Sequence, residues 1–252
     1  MRWTVVIPVK APAIGKSRLS PAVADAARAE LARAFALDTI AAAVGARSVA
    51  RVIFVGDDPS LAGDAEFLAE PSTPGLLPAI RHGIAHARSG SRDATASLLD
   101  PRGDATASLL DPRMDATASL LDPRKAATAS LLDRREAAVA VLLGDLPGLR
   151  PEELDAVLEA ASRHPLAFVR DADGTGTTLV TAAPGVPLEP RFGPGSAARH
   201  AEAGFVELEA SAAPGLTRDV DTVDGLETVL HHGVGDHTAE VVARLADRKG
   251  TS

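Results

Sequence analysis

Three aspartates carry the most specific chemistry in this sequence. Asp145 stands in Leu143-Gly144-Asp145-Leu146-Pro147, directly behind the apolar run 137–143 (AAVAVLL). Asp219 and Asp221 stand much further on, in Arg218-Asp219-Val220-Asp221-Thr222. Carboxylates are hard oxygen ligands, and Mg²⁺ commonly takes one or two of them together with water and phosphate oxygens. Residues i and i+2 of an extended segment share a side, so Asp219 and Asp221 are expected to point together from the end of a strand. Two like charges so close are costly unless a cation lies between them. Plainer roles stay open: Asp145 as a turn or cap aspartate, and Asp221 as the cap of the following helix with Asp219 in solvent.

Cations and glycine-rich loops complete the set. Lys10, Lys16 and Arg18 lie in a loop rich in Ala, Pro and Gly, which leads into a helix start at Ser20-Pro21. Lysines and backbone N–H groups in such a loop can hold a triphosphate, although the pattern is not GxxxxGK[ST] and also reads as a solvated basic loop. The segments 171–178 (DADGTGTT) and 192–200 (FGPGSAARH) are two more Gly- and hydroxyl-bearing loops. His200 reads as a helix-surface histidine without a chemical role.

The elements that must position these groups alternate. Strands are expected at 3–9, 51–55, near 65–69, and at 137–143, 166–170, 178–181 and 205–208. Helices are expected from Ser20-Pro21 to about Ala43, from Gly75 to Ala87, from Pro151 onward, over 223–231 behind a Thr222 cap, and from His237 to Ala246. This rhythm predicts an α/β fold with a mainly parallel twisted sheet flanked by helices. Ligands in such sheets bind beyond the carboxyl ends of the strands, where Lys10, Lys16, Asp145, Asp219 and Asp221 are all expected.

The domain organisation is one unit over 1–232, a tail with a helix over 233–252, and an interruption at 93–136. The interruption holds four near copies of one 11-residue unit (DATASLLDPRG, DATASLLDPRM, DATASLLDPRK, AATASLLDRRE). Pro101, Pro112 and Pro123 break any continuous helix there. The tract reads as a surface insertion without a catalytic role, whose Leu-Leu pairs offer a route to a homo-oligomer. The chain has 252 residues, 46% of them apolar, no cysteine and a formal charge of −8. Disulfides and thiolate chemistry are thereby excluded. The acidic balance argues against a nucleic-acid binder, no run is long enough for a membrane span, and a cytoplasmic enzyme is expected.

Taken in order, VIPVKAPAIGKSRL, LLGDLPGLRPEEL, DADGTGTTLV, FGPGSAARH and RDVDT resemble the phosphoenolpyruvate/2-phospho-L-lactate guanylyltransferase family of coenzyme F420 biosynthesis. The resemblance runs over roughly 1–92 and 137–232. It implies a nucleotidyltransferase fold, Rossmann-like and related to GT-A glycosyltransferases and molybdopterin guanylyltransferases. It also implies transfer of GMP from GTP to phosphoenolpyruvate or 2-phospho-L-lactate, with phosphoenolpyruvate the first expectation. By the same resemblance Asp145, Asp219 and Asp221 match metal-binding positions for Mg²⁺. Thr178, Gly193 and Ser196 match positions that hold the phosphorylated acid. Lys10 and Lys16 fall near the phosphates, Lys16 acting with Asp145 in catalysis. Apart from the resemblance, the segment around Gly75 and Leu76 is the candidate for reading guanine. A related transferase with another acceptor, a nucleotide-sugar glycosyltransferase and a non-catalytic nucleotide-binding module are the rival readings.

Overall fold

The computed structural model describes residues 1–9, 25–89 and 138–250. Lys10, Lys16, the helix start at Ser20-Pro21 and the repeats of 93–136 lie outside the described residues. In chain order the elements are β1 (Trp3–Pro8), α1 (Asp25–Gly45), β2 (Val49–Gly56), β3 (Glu66–Ala69), α2 (Leu76–Ser89) and β4 (Ala138–Leu142). There follow α3 (Pro151–Ala161), β5 (Leu166–Arg170), β6 (Thr177–Ala182), α4 (Ser196–Glu202) and β7 (Val206–Glu207). The chain closes with α5 (Pro214–Thr217), α6 (Val223–His232) and α7 (Asp236–Gly250).

The seven strands form one sheet in the order β3-β2-β1-β4-β6-β5-β7. β1 pairs in parallel with β2 and β4, and β5 with β7, whereas β6 runs antiparallel to both β4 and β5. The central strands are buried on both faces, so they read as unbroken apolar runs rather than as alternation. Trp3, Val5 and Ile7 of β1 and Ala140 and Leu142 of β4 point into one core, together with Leu154 and Leu158 of α3 and Leu216 of α5. Val6, Val139 and Val141 point into the other, together with Ile80 and Ile84 of α2 and Ala197 of α4. Gly83 lets α2 lie close on β1, since a Cβ there would fall inside contact distance of Val6.

A third, smaller core joins Leu31 and Phe35 of α1 to Val229 of α6 and Val241 of α7. Asp38 locks this layer: its two carboxylate oxygens accept the N–H groups of His237 (3.0 Å) and Thr238 (2.9 Å) at the start of α7. A carboxylate at a helix N-terminus satisfies donors that have no partner within the helix. No helix of the described residues is long and apolar enough to cross a membrane.

One expectation fails. Asp219-Val220-Asp221 does not end a strand but lies in the irregular link between α5 and α6. The segment lies between the single turn of α5 and α6, which begins at Val223, and its Val220 N–H bonds the turn after β4 instead of a strand ladder. Thr222, not Asp221, caps α6, its Oγ1 accepting the Gly225 N–H at 3.0 Å.

Candidate active site

β4 ends at Leu142, and the chain then turns sharply through Gly144 beneath the end of β1. A Cβ on Gly144 would meet Val9 Cγ2 at 2.7 Å and the Pro8 carbonyl at 3.3 Å. Glycine is therefore required by close approach, and the next residue, Asp145, is placed at the carboxyl edge in mid-sheet. Two further contacts fix the turn. Leu146 N–H donates to Thr39 Oγ1 at 3.0 Å, and Thr39 donates in turn to the Phe35 carbonyl at 2.8 Å. The Pro147 carbonyl accepts the Gly235 N–H at 2.9 Å.

The second acidic stretch is brought to the same place by the backbone. Val220 N–H donates to the Asp145 carbonyl at 3.2 Å, while the Val220 side chain is fully buried in the third core. With Val220 pinned inward, Asp219 and Asp221 flank Asp145. Asp145, Asp219 and Asp221, all half-buried, each offer one carboxylate oxygen, and these oxygens lie within 4.8 Å of one another. Octahedral Mg²⁺ with ligands at about 2.1 Å places oxygens roughly 3 to 4.2 Å apart. Three ligands of one octahedral ion include at least two adjacent pairs roughly 3 Å apart, so the trio must draw in by up to roughly 2 Å to share such an ion. The donor set is all oxygen and all anionic, which suits a hard divalent cation. Beside it opens a cleft lined by Asp173, Arg218, Thr222 and Thr228.

The reversed direction of β6 has a chemical consequence: its first residues, Thr177 and Thr178, lie at the carboxyl edge beside the end of β4. Leu143 N–H donates to the Thr178 carbonyl at 2.9 Å. Against β5 the register slips by one, from Val169 opposite Leu179 to Arg170 opposite Thr177, so Thr178 is the extra residue of a bulge. Bulges re-aim side chains and are frequent beside active sites. Thr178 is fully buried, and its Oγ1 has no hydrogen-bond partner among the described residues.

Gly193 and Ser196 come to the same region through the 171–176 loop. Asp171 ties that loop by accepting the N–H groups of Thr175 (2.9 Å) and Gly176 (2.8 Å). The Thr175 carbonyl then accepts the Ala197 N–H at 3.2 Å, which sets the start of α4 against the start of β6. Gly193 adopts φ 114°, a conformation that side-chain-bearing residues rarely take. Ser196 is buried. Gly75 adopts φ 130° and starts α2 at the same edge, beyond β2. Its described hydrogen bonds run to Glu70 and Ala79, not to the aspartates.

The chain is 41% identical over 254 residues to the phosphoenolpyruvate guanylyltransferase of Streptomyces scabiei (strain 87.22), a match spanning 97% of this chain and 98% of the relative. It belongs to the phosphoenolpyruvate guanylyltransferase family. Membership is supported equally by the family's protein from Sanguibacter keddieii, 42% identical over 283 residues and matched over 97% of this chain and 85% of its own. No protein-family model matches the chain. Among solved structures, a candidate nucleotide-diphospho-sugar transferase from Desulfovibrio desulfuricans G20 superposes with a TM-score of 0.53 at 16% identity. That match covers 91% of this chain and 87% of the other, and it bears on the fold alone.

Within this guanylyltransferase-family fold, two residues at the site were not singled out from sequence. His200 was expected on a helix surface; it is fully buried, with Phe168, Phe192 and Phe205 around it. Burial, with the positive charges of Arg199 and Arg191 nearby, pushes its pKa down to about 4. Thr39, fully buried in α1, was hidden in the sequence among the apolar positions of FALDTIAAAV. A polar Asp-Thr pair inside such a run is the one signal that could have revealed it.

Proposed function

We propose that this chain transfers GMP from GTP to phosphoenolpyruvate and releases pyrophosphate, the step that its family resemblance assigns to coenzyme F420 biosynthesis. The convergence of Asp145, Asp219 and Asp221 from two distant stretches to one point of the sheet edge carries this reading. These three residues would hold Mg²⁺, which when bound supplies positive charge against the triphosphate and its leaving oxygen.

The acceptor is a phosphate monoester, whose second pKa lies near 6, so its attacking oxygen is already anionic at neutral pH. That oxygen bonds to the α-phosphorus of GTP as the bond to the bridging oxygen of the β-phosphate breaks. The electron pair leaves with pyrophosphate, and no proton need be removed. The residues around the site suit this economy. His200, the histidine beside the acceptor positions, is enclosed with both ring nitrogens already hydrogen-bonded within the fold, and its lowered pKa makes it a weak base. What remains for the protein is positioning and charge complementarity.

Thr178, Gly193 and Ser196 are assigned to the phosphorylated acid. The unpartnered hydroxyl of Thr178 supports this, since a buried donor without a partner costs free energy that a ligand oxygen can restore. Lys10 and Lys16 are assigned to the phosphates of GTP, and Gly75 to the nucleoside. The two lysines rest on the resemblance, and Gly75 on its place at the start of α2 beyond β2.

The test is a parallel assay with GTP, Mg²⁺ and either phosphoenolpyruvate or 2-phospho-L-lactate, reading pyrophosphate and the guanylylated acid. Pyrophosphate release that depends on phosphoenolpyruvate is the expected result. Release only with 2-phospho-L-lactate would move the assignment to the saturated acid. GTP binding without release with any acceptor would leave a nucleotide-binding module.

A further inference from the structure

We propose that His200 is a positioning residue for the acceptor pocket, holding the turn at Arg191–Ser196 against the start of β6 and so setting affinity for the phosphorylated acid. The inference rests on the assignment of Thr178, Gly193 and Ser196 to that acid. One imidazole, carried on the helix that Ser196 begins, hydrogen-bonds the other two segments that carry them. Its Nε2 accepts the Arg191 N–H at 3.1 Å, two residues before Gly193. Its Nδ1 lies 3.1 Å from Thr177 Oγ1, one residue before Thr178.

These contacts fix the tautomer. An N–H donating to Nε2 leaves that nitrogen without a proton, so the neutral ring carries its proton on Nδ1. The proton then faces the Thr177 hydroxyl, which can accept. An aromatic cage of Phe168, Phe192 and Phe205, with ring centroids 5.8, 5.5 and 5.1 Å from the imidazole, shields these bonds from water.

A phenylalanine would fill the cage without burying a polar ring. The imidazole therefore serves for its directional bonds rather than for its volume. Arg199, its neighbour on α4, holds the same turn from outside through the carbonyls of Arg191 (2.8 Å) and Phe192 (3.2 Å). Gly193, with its left-handed φ, follows at once. The turn is thus braced on both sides, and the inner brace alone reaches β6.

The experiment uses the full chain. His200→Phe, His200→Asn and His200→Gln are compared with the parent by steady-state kinetics, varying phosphoenolpyruvate at saturating GTP and then the reverse, with melting curves alongside. Asparagine can keep a donor near the Nδ1 position, and glutamine an acceptor near the Nε2 position. His200→Phe should raise KM for phosphoenolpyruvate about tenfold, the equivalent of one lost hydrogen bond, and leave KM for GTP within about twofold. The two amide variants should each recover part of the loss, and they carry the test if the phenylalanine variant does not fold.

Equal changes in both KM values, or a lowered melting point with neither KM changed, would overturn the proposal. Thr178→Val, run in parallel, separates the two levels. If it raises KM for the acid while the His200 variants do not, the pocket stands and the brace falls. If all variants are folded and active with the parental KM, the acceptor binds elsewhere.

Discussion

The carbonyl of Asp145 accepts the N–H of Val220 at 3.2 Å, so the two acidic stretches are joined through the main chain before any ion arrives. Asp145 and its partners Asp219 and Asp221 are thereby held with oxygens within 4.8 Å, where their charges repel. Asp145→Asn should lower kcat by about 100-fold or more, because a ligand that holds charge against the reacting phosphates is lost. With magnesium at ten times its Kd the parent should gain about 1.4 kcal/mol, and the variant less. Turnover near the parental rate would remove Asp145 from the metal site.

Thr39 holds the Asp145 turn from behind, through the Leu146 N–H at 3.0 Å. Thr39→Val keeps the shape and leaves that buried N–H without its partner, a cost of about 1 to 3 kcal/mol. Groups that orient metal ligands typically change metal affinity by about 10- to 100-fold. The magnesium concentration for half-maximal rate should therefore rise about tenfold, and Thr39→Ser should restore it. A magnesium titration of activity decides the point. An unchanged midpoint would show that Gly235 and the Gly144 turn suffice to place Asp145.

The strands and long helices were legible because a strand buried on both faces must be apolar throughout, as in WTVVIP and AVAVL. The three aspartates were legible as candidates because Asp145 follows such a strand and the paired Asp219 and Asp221 stand out by their spacing. Two things were not. The i, i+2 argument expected Asp219 and Asp221 on a strand, whereas an irregular link aims them by burying Val220 between them; local pattern does not distinguish these cases. The reversal of β6 was equally hidden, because TTLVTA reads alike in either direction and its orientation is settled by pairing with β4 and β5. The same tertiary pairing buries His200, which a seven-residue helix alone cannot reveal.

Thr178 should show stability and function pulling apart. Its Oγ1 is buried without a partner among the described residues, a state that costs about 1 to 3 kcal/mol. Thr178→Val removes the hydroxyl at nearly constant shape. The ligand-free variant should melt at or above the parental temperature, by up to a few degrees for a chain of this length. Its KM for phosphoenolpyruvate should rise about tenfold, as expected for one lost hydrogen bond to an anion. A variant that is destabilised, with its KM unchanged, would mean that the hydroxyl serves the fold.

His200 makes stability depend on pH in a definite window. Its pKa is about 4 in the folded chain against an ordinary 6.5. Between these values the unfolded chain binds the proton and the folded chain does not, so stability rises with pH there and falls on acidification. Glu66 contributes in the same direction only lower down: held at about 2 by Arg51 and His86, its share is present above its ordinary 4.5 and is lost as pH falls towards 2. The interval from 6.5 to 4.5 therefore isolates the histidine from Glu66. The parent should lose up to about 2 to 3 kcal/mol across it. His200→Phe, with nothing to protonate, should lose correspondingly less. Denaturant unfolding of both chains at pH 6.5, 5.5 and 4.5 measures the difference, and parallel curves would mean that the imidazole takes up its proton without leaving the cage.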